Sequence, residues 1–302
     1  MPGNIDRLLS LLLLLLLPLQ VVMGDTVWFL YDAQNEHHKQ YVAGSEALLR
    51  EALPKVNVVQ TETAQGVGAS RPEERTLLIT VGPTAARQAA QSGLPTLNTL
   101  ITQRNFEALR GQYEAPVSAL YIDQPVRRQL QLVKSALPLR RKLTVLVGRE
   151  SQDLVSELSH HARLLGMALR VIHVDEDSAI EPLFEHELSG EDTLLLLPDP
   201  EVVNRRTVKP LVLGSYRQGL PLIGYSHALV KAGALMAVHS SQTTLQQQAL
   251  VMVQSYFADN RLPTARHAEE FEVSINYQLA RALKITLPSE KTLKQTLQEQ
   301  LQ

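Results

Sequence analysis

Cysteine is absent from all 302 residues. No disulfide framework can form, and no amino-terminal cysteine is available to carry a lipid anchor. Aromatic residues make up only 5%, with a single tryptophan, and neither sign of charge prevails, 29 Lys and Arg standing against 31 Asp and Glu. That balance provides no net field for drawing in DNA or an anionic membrane, so no nucleic-acid partner is expected. The basic clusters Arg127-Arg128, Arg140-Arg141-Lys142 and Arg205-Arg206 are short and scattered, as solvated helix faces and loop edges are. Metal-ligand spacing of the H-E-x-x-H or Cys/His kind is missing too. The pairs His37-His38 and His160-His161 and the run Glu185-His186-Glu187 read as solvated faces, because adjacent helical side chains point about 100° apart. No metal and no cofactor is expected. Internal repeats are also lacking, as is any second apolar run long enough to cross a bilayer.

What is present begins with an export signal over residues 1–24. Arg7 supplies a positive start, Leu8 to Leu17 an apolar run interrupted only by Ser10, and Val22-Met23-Gly24 a small-residue cleavage site, so the exported chain should begin at Asp25. The apolar stretch reaches only ~15 residues before Pro18 and Gln20 break it, short of the ~20 needed for a membrane span. A periplasmic, monomeric protein is the expectation.

Beyond the signal, short apolar β-type runs alternate with longer amphipathic segments, the pattern of an α/β protein with parallel sheets. Strands are predicted at 26–31, 56–60, 76–81, 94–97 and 117–121, then at 143–148, 168–174, 193–197, 220–225 and 234–239. Runs such as TLLITV and LTVLV are hydrophobic almost throughout, as strands covered by helices on both faces must be. Helices are predicted at 36–52, 84–91, 125–136, 151–165, 181–188, 204–216, 243–258 and 277–283. The polar stretch Thr61 to Glu74 reads as an exposed loop. The chain exceeds the usual length of one domain, and its two series of strands imply two Rossmann-like lobes divided near residues 117–124. The first lobe would comprise 25–118, completed by 241–260 if the helix at 243–258 returns to it, and the second 119–240. Residues 261–302 have no assigned lobe.

Several stretches together resemble the substrate-binding proteins of ABC transporters with the type I periplasmic-binding fold, the family that includes the binding proteins of tryptophan and tyrosine importers. They are TLLITVGPTAARQAA at 76–90, DQPVRRQLQLVKSALPLRRKLTVLVG at 123–148, the segment 193–241 beginning TLLLLPDPEVVNRR, and FEVSINYQLARALKITLPSE at 271–290. The crossover reads PVSALYIDQP where a Gly-Val-Thr-like sequence is common. The resemblance implies two lobes closing by a hinge over a small organic ligand, an amino acid or other carboxylate, and a membrane permease as partner. It implies binding without catalysis.

In open parallel sheets, ligands gather outside the carboxyl ends of the strands, where loops lead into helix N-termini. Four such loops stand out. Asp32 and Gln34 follow the first strand, Asp32 placed either to accept an amine or hydroxyl or to cap the next helix. Gly82, Pro83 and Thr84 follow the third, where glycine allows a sharp exit and proline suits the first helical position, offering free N–H groups to an anion or forming an ordinary turn. This loop lacks the glycine fingerprints of nucleotide sites. Asp199, between two prolines, is placed as a cap or a ligand acceptor, and Tyr225 and Ser226 close the set. A receptor-linked ligand sensor is the alternative in the binding class. Gly224-Tyr225-Ser226-His227-Ala228 also has the outline of a nucleophile elbow, with Asp259 and His267 following in hydrolase order. Too little chain follows Ser226 for that fold, and Asp259 and His267 share one short polar connection.

Overall fold

The computed structural model describes residues 24–67, 74–175, 180–188 and 190–300. Residues 1–23 of the expected export signal lie outside them, as do 68–73 of the predicted loop. Among the described residues no helix is long and apolar enough to cross a membrane.

The first lobe alternates β1 (Thr26–Tyr31), α1 (Glu36–Ala52), β2 (Asn57–Thr61), β3 (Thr76–Val81), α2 (Pro83–Ala89), β4 (Thr96–Ile101), α3 (Gln103–Arg110) and β5 (Val117–Tyr121). These strands, with β11 (Arg266–His267) at one edge, form a sheet in the order β11-β5-β4-β3-β1-β2, every pairing parallel. All six residues of β3 are buried, as a central strand covered on both faces requires.

The second lobe repeats the scheme with α4 (Val126–Ala136), β6 (Lys142–Val147), α5 (Val155–Leu164), β7 (Ala168–His173), α6 (Ile180–His186) and β8 (Thr193–Leu196). It continues through α7 (Val208–Arg217), β9 (Leu222–Gly224), α8 (His227–Ala232) and β10 (Met236–His239). Its sheet runs β7-β6-β8-β9-β10-β12, parallel except for β12 (Glu272–Ile275), which pairs antiparallel with β10. Both sheets, with helices on their faces, establish the two-lobed α/β architecture.

Between the sheets the chain crosses three times. It leaves the first lobe after Tyr121, so the division falls beyond residue 118, which lies inside β5. It returns after β10 into α9 (Gln242–Asp259), whose Leu245, Met252 and Val253 pack with Val27, Phe29 and Tyr41 in the first core. The close seating of α9 on α1 depends on Gly44, where a Cβ would collide with the Gln246 side chain, whose Nε2 donates to the Tyr41 carbonyl at 2.9 Å. After β11 the chain crosses back to β12, α10 (Tyr277–Ala282) and α11 (Glu290–Glu299), and Phe271 and Leu293 join the second core.

The crossovers are tied to one another. Gln124 on the first donates through Nε2 to Ser240 Oγ on the second at 3.0 Å, and Ser240 Oγ donates to the Glu270 carbonyl on the third at 3.0 Å. Arg128 Nη1 donates to Gln124 Oε1 at 2.6 Å and to the Ala268 carbonyl at 3.0 Å. Its guanidinium lies 4.3 Å from the centre of the Phe271 ring. Burial lowers its pKa to about 10, with Glu270 opposing, so the group keeps its charge at neutral pH. Removing it would strand a buried carbonyl and a buried amide oxygen. Since hydrogen bonds from charged donors contribute about 1.5–3 kcal/mol, Arg128→Met should lower the unfolding free energy by about 2–3 kcal/mol in a denaturant titration. An unchanged midpoint would contradict the role assigned to this network.

Candidate functional site

The carboxyl ends of the strands in both sheets, with the crossovers, enclose a cavity of about 770 Å³. The first lobe and the first crossover contribute His37, Thr102, Ile122 and Asp123 to its wall, and the second lobe Pro198, Tyr225, Ser226, His227 and His239. Ser240 and Ser241, on the second crossover, lie between them, and β12 adds Glu272 and Ser274. A second cavity of about 390 Å³ shares Thr102, Asp123 and Pro198 and extends between α3 and the loop after β6. There Arg104 of the first lobe reaches across to Asp153 of the second, 3.6 Å apart. A depression of about 730 Å³ around Arg149, Pro200 and Arg205 touches only the second lobe and is a surface feature.

Local geometry places each wall residue. Leu100 adopts φ +49°, and the pairing of β4 with β5 shifts register between Asn98 and Ile101. A left-handed leucine is strained, and the bulge turns the chain so that Thr102 caps α3, its Oγ1 accepting from Asn105 N at 3.3 Å, while facing the cleft. Ser226 caps α8 in the same way, accepting from Leu229 N at 3.3 Å. In β12 the pattern Glu-Val-Ser-Ile has the period of a strand, so Val273 and Ile275 face the core while Glu272 and Ser274 face the cavity.

Of the ligand-binding candidates from sequence, Tyr225 and Ser226 line the cavity together with His227 of the same loop, and Asp32, Gln34, Gly82, Pro83, Thr84 and Asp199 stand apart from it, while His37, which read as a solvated face, lines it. Asp32 Oδ1 accepts from Gln34 N at 2.9 Å in an exposed turn, and the helix cap is Asn35, which accepts from His37 N at 3.0 Å. Gly82 sits at φ +88° with the His38 ring resting where a Cβ would come within 2.7 Å, Pro83 opens α2, and Thr84 is exposed beside Arg87. Asp199 is 1% exposed and turned inward. Its carboxylate accepts from Gly148 N at 3.0 Å, Ser151 N at 2.8 Å, Ser151 Oγ at 2.6 Å and Glu201 N at 3.0 Å. Those bonds hold the loops after β6 and β8 together and leave the carboxylate committed to the fold.

No hydrogen bond among the described residues joins Ser226 to Asp259 or His267. Asp259 Oδ2 accepts from Ser255 Oγ at 3.5 Å within α9, and His267, on β11, lies 3.8 Å from Asp123. The serine that does meet imidazoles is Ser274, whose Oγ lies 3.0 Å from His227 Nδ1 and 2.9 Å from His239 Nε2. His227 belongs to the loop that the sequence brought forward with Tyr225 and Ser226, whereas Ser274, His239, Asp123, Glu272 and Glu290 were missed from sequence. His239 closes β10, so the rule that drew attention to the ends of other strands also reaches it, whereas Glu272 and Ser274 lie on a strand of four residues.

The pKa of His239 is lowered, chiefly by burial and also by His227, against raising influences from Glu272, the Ser240 backbone and Glu290. Burial raises the Tyr225 hydroxyl, and Asp199 adds to it. A histidine whose folded pKa lies below its unfolded value near 6.5 contributes stability above that value and loses it as the pH falls through the folded pKa. His239→Asn should therefore reduce the drop in melting temperature between about pH 7 and about pH 5.5 relative to wild type. An equal drop in both proteins would contradict this.

No family model and no curated protein matches the chain. Among solved structures it is similar to a domain described as the ABC domain in complex with L-Trp from Streptococcus pneumonia, at 17% identity and TM-score 0.64 over 90% of this chain and 98% of that one. It is similar to CD0873, a substrate binding protein with adhesive properties from Clostridium difficile in its ligand-free, open structure. The identity there is 15% and the TM-score 0.68, over 89% of this chain and 97% of that one. A periplasmic solute binding protein of an ABC transporter from Actinobacillus succinogenes with bound D-allose matches at 11% identity and TM-score 0.51, over 85% and 99%. The fold is that of the type I periplasmic-binding proteins.

Proposed function

We propose that this chain is an exported solute-binding protein that captures a small organic molecule between its lobes and presents it to an ABC-type membrane permease. The observation that carries this reading is the cavity of about 770 Å³ walled by both lobes and floored by their crossovers. Its size lies within the range of roughly 300–1,000 Å³ found for small-molecule sites. A solute there touches both lobes at once, so its binding favours the closed arrangement, and the three crossovers are the segments that absorb the hinge motion. The wall provides orientation through hydroxyls and imidazoles and apolar contact through Ile122, Pro198 and the Tyr225 ring. No chemistry is performed on the solute. Sugar-binding and amino-acid-binding relatives of the fold support the class of ligand, and the implied export to the periplasm supports the permease partner.

Native mass spectrometry of the protein isolated from its host compartment should show a bound solute. Ala228→Trp, which fills the cavity from the exposed first turn of α8, should remove that adduct while the melting temperature is kept. An adduct retained by Ala228→Trp, or no solute bound by the wild-type protein, would contradict the assignment.

A further inference from the structure

The polarity of the cavity wall goes beyond its shape. Taking the cleft as the capture site, we infer that its ligand is an organic cation bearing ammonium or guanidinium groups. The main cavity is lined by the carboxylates of Asp123, Glu272 and Glu290 and, among the described residues, by no lysine or arginine. In a chain of nearly balanced charge this is a local excess of one sign. The adjoining cavity extends it. Glu107, Glu150, Asp153 and Glu157 line that space, with Arg104 the one Lys or Arg on its wall among the described residues, 3.6 Å from Asp153, and with Glu107 also 3.0 Å from Arg110.

The carboxylates differ in how far the fold uses them. Asp123 Oδ1 accepts from Gln103 N at 2.9 Å while its Oδ2 lies 3.8 Å from His267 Nε2, and Glu290 Oε1 accepts from Ile275 N at 2.8 Å, leaving its second oxygen. Glu272 is exposed, and no hydrogen bond to it is seen among the described residues. Two imidazoles meet at the Ser274 hydroxyl beside these carboxylates, His227 Nδ1 at 3.0 Å and His239 Nε2 at 2.9 Å, and a neutral imidazole offers one ring nitrogen as an acceptor.

An anionic ligand in the main cavity would meet three carboxylates with no lysine or arginine of the described residues on the wall to offset them, in a cleft where closure reduces screening. A cation rich in N–H donors meets complementary groups on the first crossover and on β12, so closure of the lobes brings charges of opposite sign together around it. This wall also differs from the anion site suggested by Gly82, Pro83 and Thr84, which lie outside the cavity.

Calorimetry on the purified protein with putrescine, L-arginine, L-glutamate and D-ribose as probes tests the inference. At least one of the two cations should bind, at least 10-fold more tightly than L-glutamate or D-ribose, and more weakly as salt is raised. Glu272→Gln, on an exposed position, should weaken that cation at least 10-fold and leave the melting temperature unchanged, and Glu272→Lys should abolish binding. Failure of both cations to bind, preference for L-glutamate or D-ribose, or wild-type affinity in Glu272→Gln would overturn the inference. If a neutral or anionic solute instead binds in the cleft and is lost in Ala228→Trp, solute capture stands and only the assignment of charge falls.

Discussion

Arg128 is 6% exposed, and no salt bridge to it is seen among the described residues. Its Nη1 donates to an amide oxygen and a backbone carbonyl, the guanidinium lies against an aromatic ring, and its Nε has no hydrogen-bond partner among the described residues, so its contacts come from the first and third crossovers. Gln124 stands on the first crossover, and Ala268 and Phe271 bound the third, while Gln124 and Ser240 bring in the second. Leaving a buried charge partly unpaired costs several kcal/mol, so the geometry of this cluster is strongly constrained. The crossovers are therefore tied to one another at this point, and the same bonds hold the floor of the cavity in place.

The second constraint is the division of labour among loops at the carboxyl ends of the strands. Asp199 shows one half of it. Four donors converge on its carboxylate, and they brace the loops after β6 and β8 so that Pro198 can face the cleft. Thr102 and Ser226 show the other half, each capping a helix while lining the cavity. Side chains that stabilise the fold thus also position the wall, and the strained backbone at Leu100 is located where the first lobe turns toward the cleft. Strain of this kind persists when surrounding structure holds it, here the buried Asn98, which donates to the Ser118 carbonyl at 3.2 Å and accepts from Thr80 and Tyr113.

Much of the fold was legible in the sequence because parallel strands buried on both faces must be apolar throughout. TLLITV and TVWFLY mark β3 and β1, and α1 over 36–52 follows from its amphipathic pattern. The polar α3, where only Phe106 and Leu109 are buried, has too few apolar residues to show a helical period, and α8, β11 and β12 are too short to show one. Helix α7 begins at Val208, later than the predicted 204, because Asn204 Oδ1 takes the N–H groups of Arg206 and Thr207 in a turn of its own. α5 likewise starts after a 3₁₀ turn over Gln152–Leu154. For the site, the rule about strand ends identified the loop of Tyr225 and Ser226. It could not tell that Asp199 points inward or that the Gly82 loop stands outside the cavity, since direction depends on packing across the lobe. Glu272 and Ser274 needed the antiparallel pairing of β12, which only the third crossover creates.

The central claim is that a solute draws the lobes together about the three crossovers. Because the chain contains no cysteine, spin labels can be placed at Gln34→Cys and Arg205→Cys, exposed positions on opposite lobes, without removing any native thiol. Pulsed dipolar spectroscopy should give a shorter and narrower inter-label distance distribution in the protein carrying its co-purified solute than in the same protein after refolding without it. An identical distribution in the two samples, with the solute shown to be bound in the first, would contradict capture by closure.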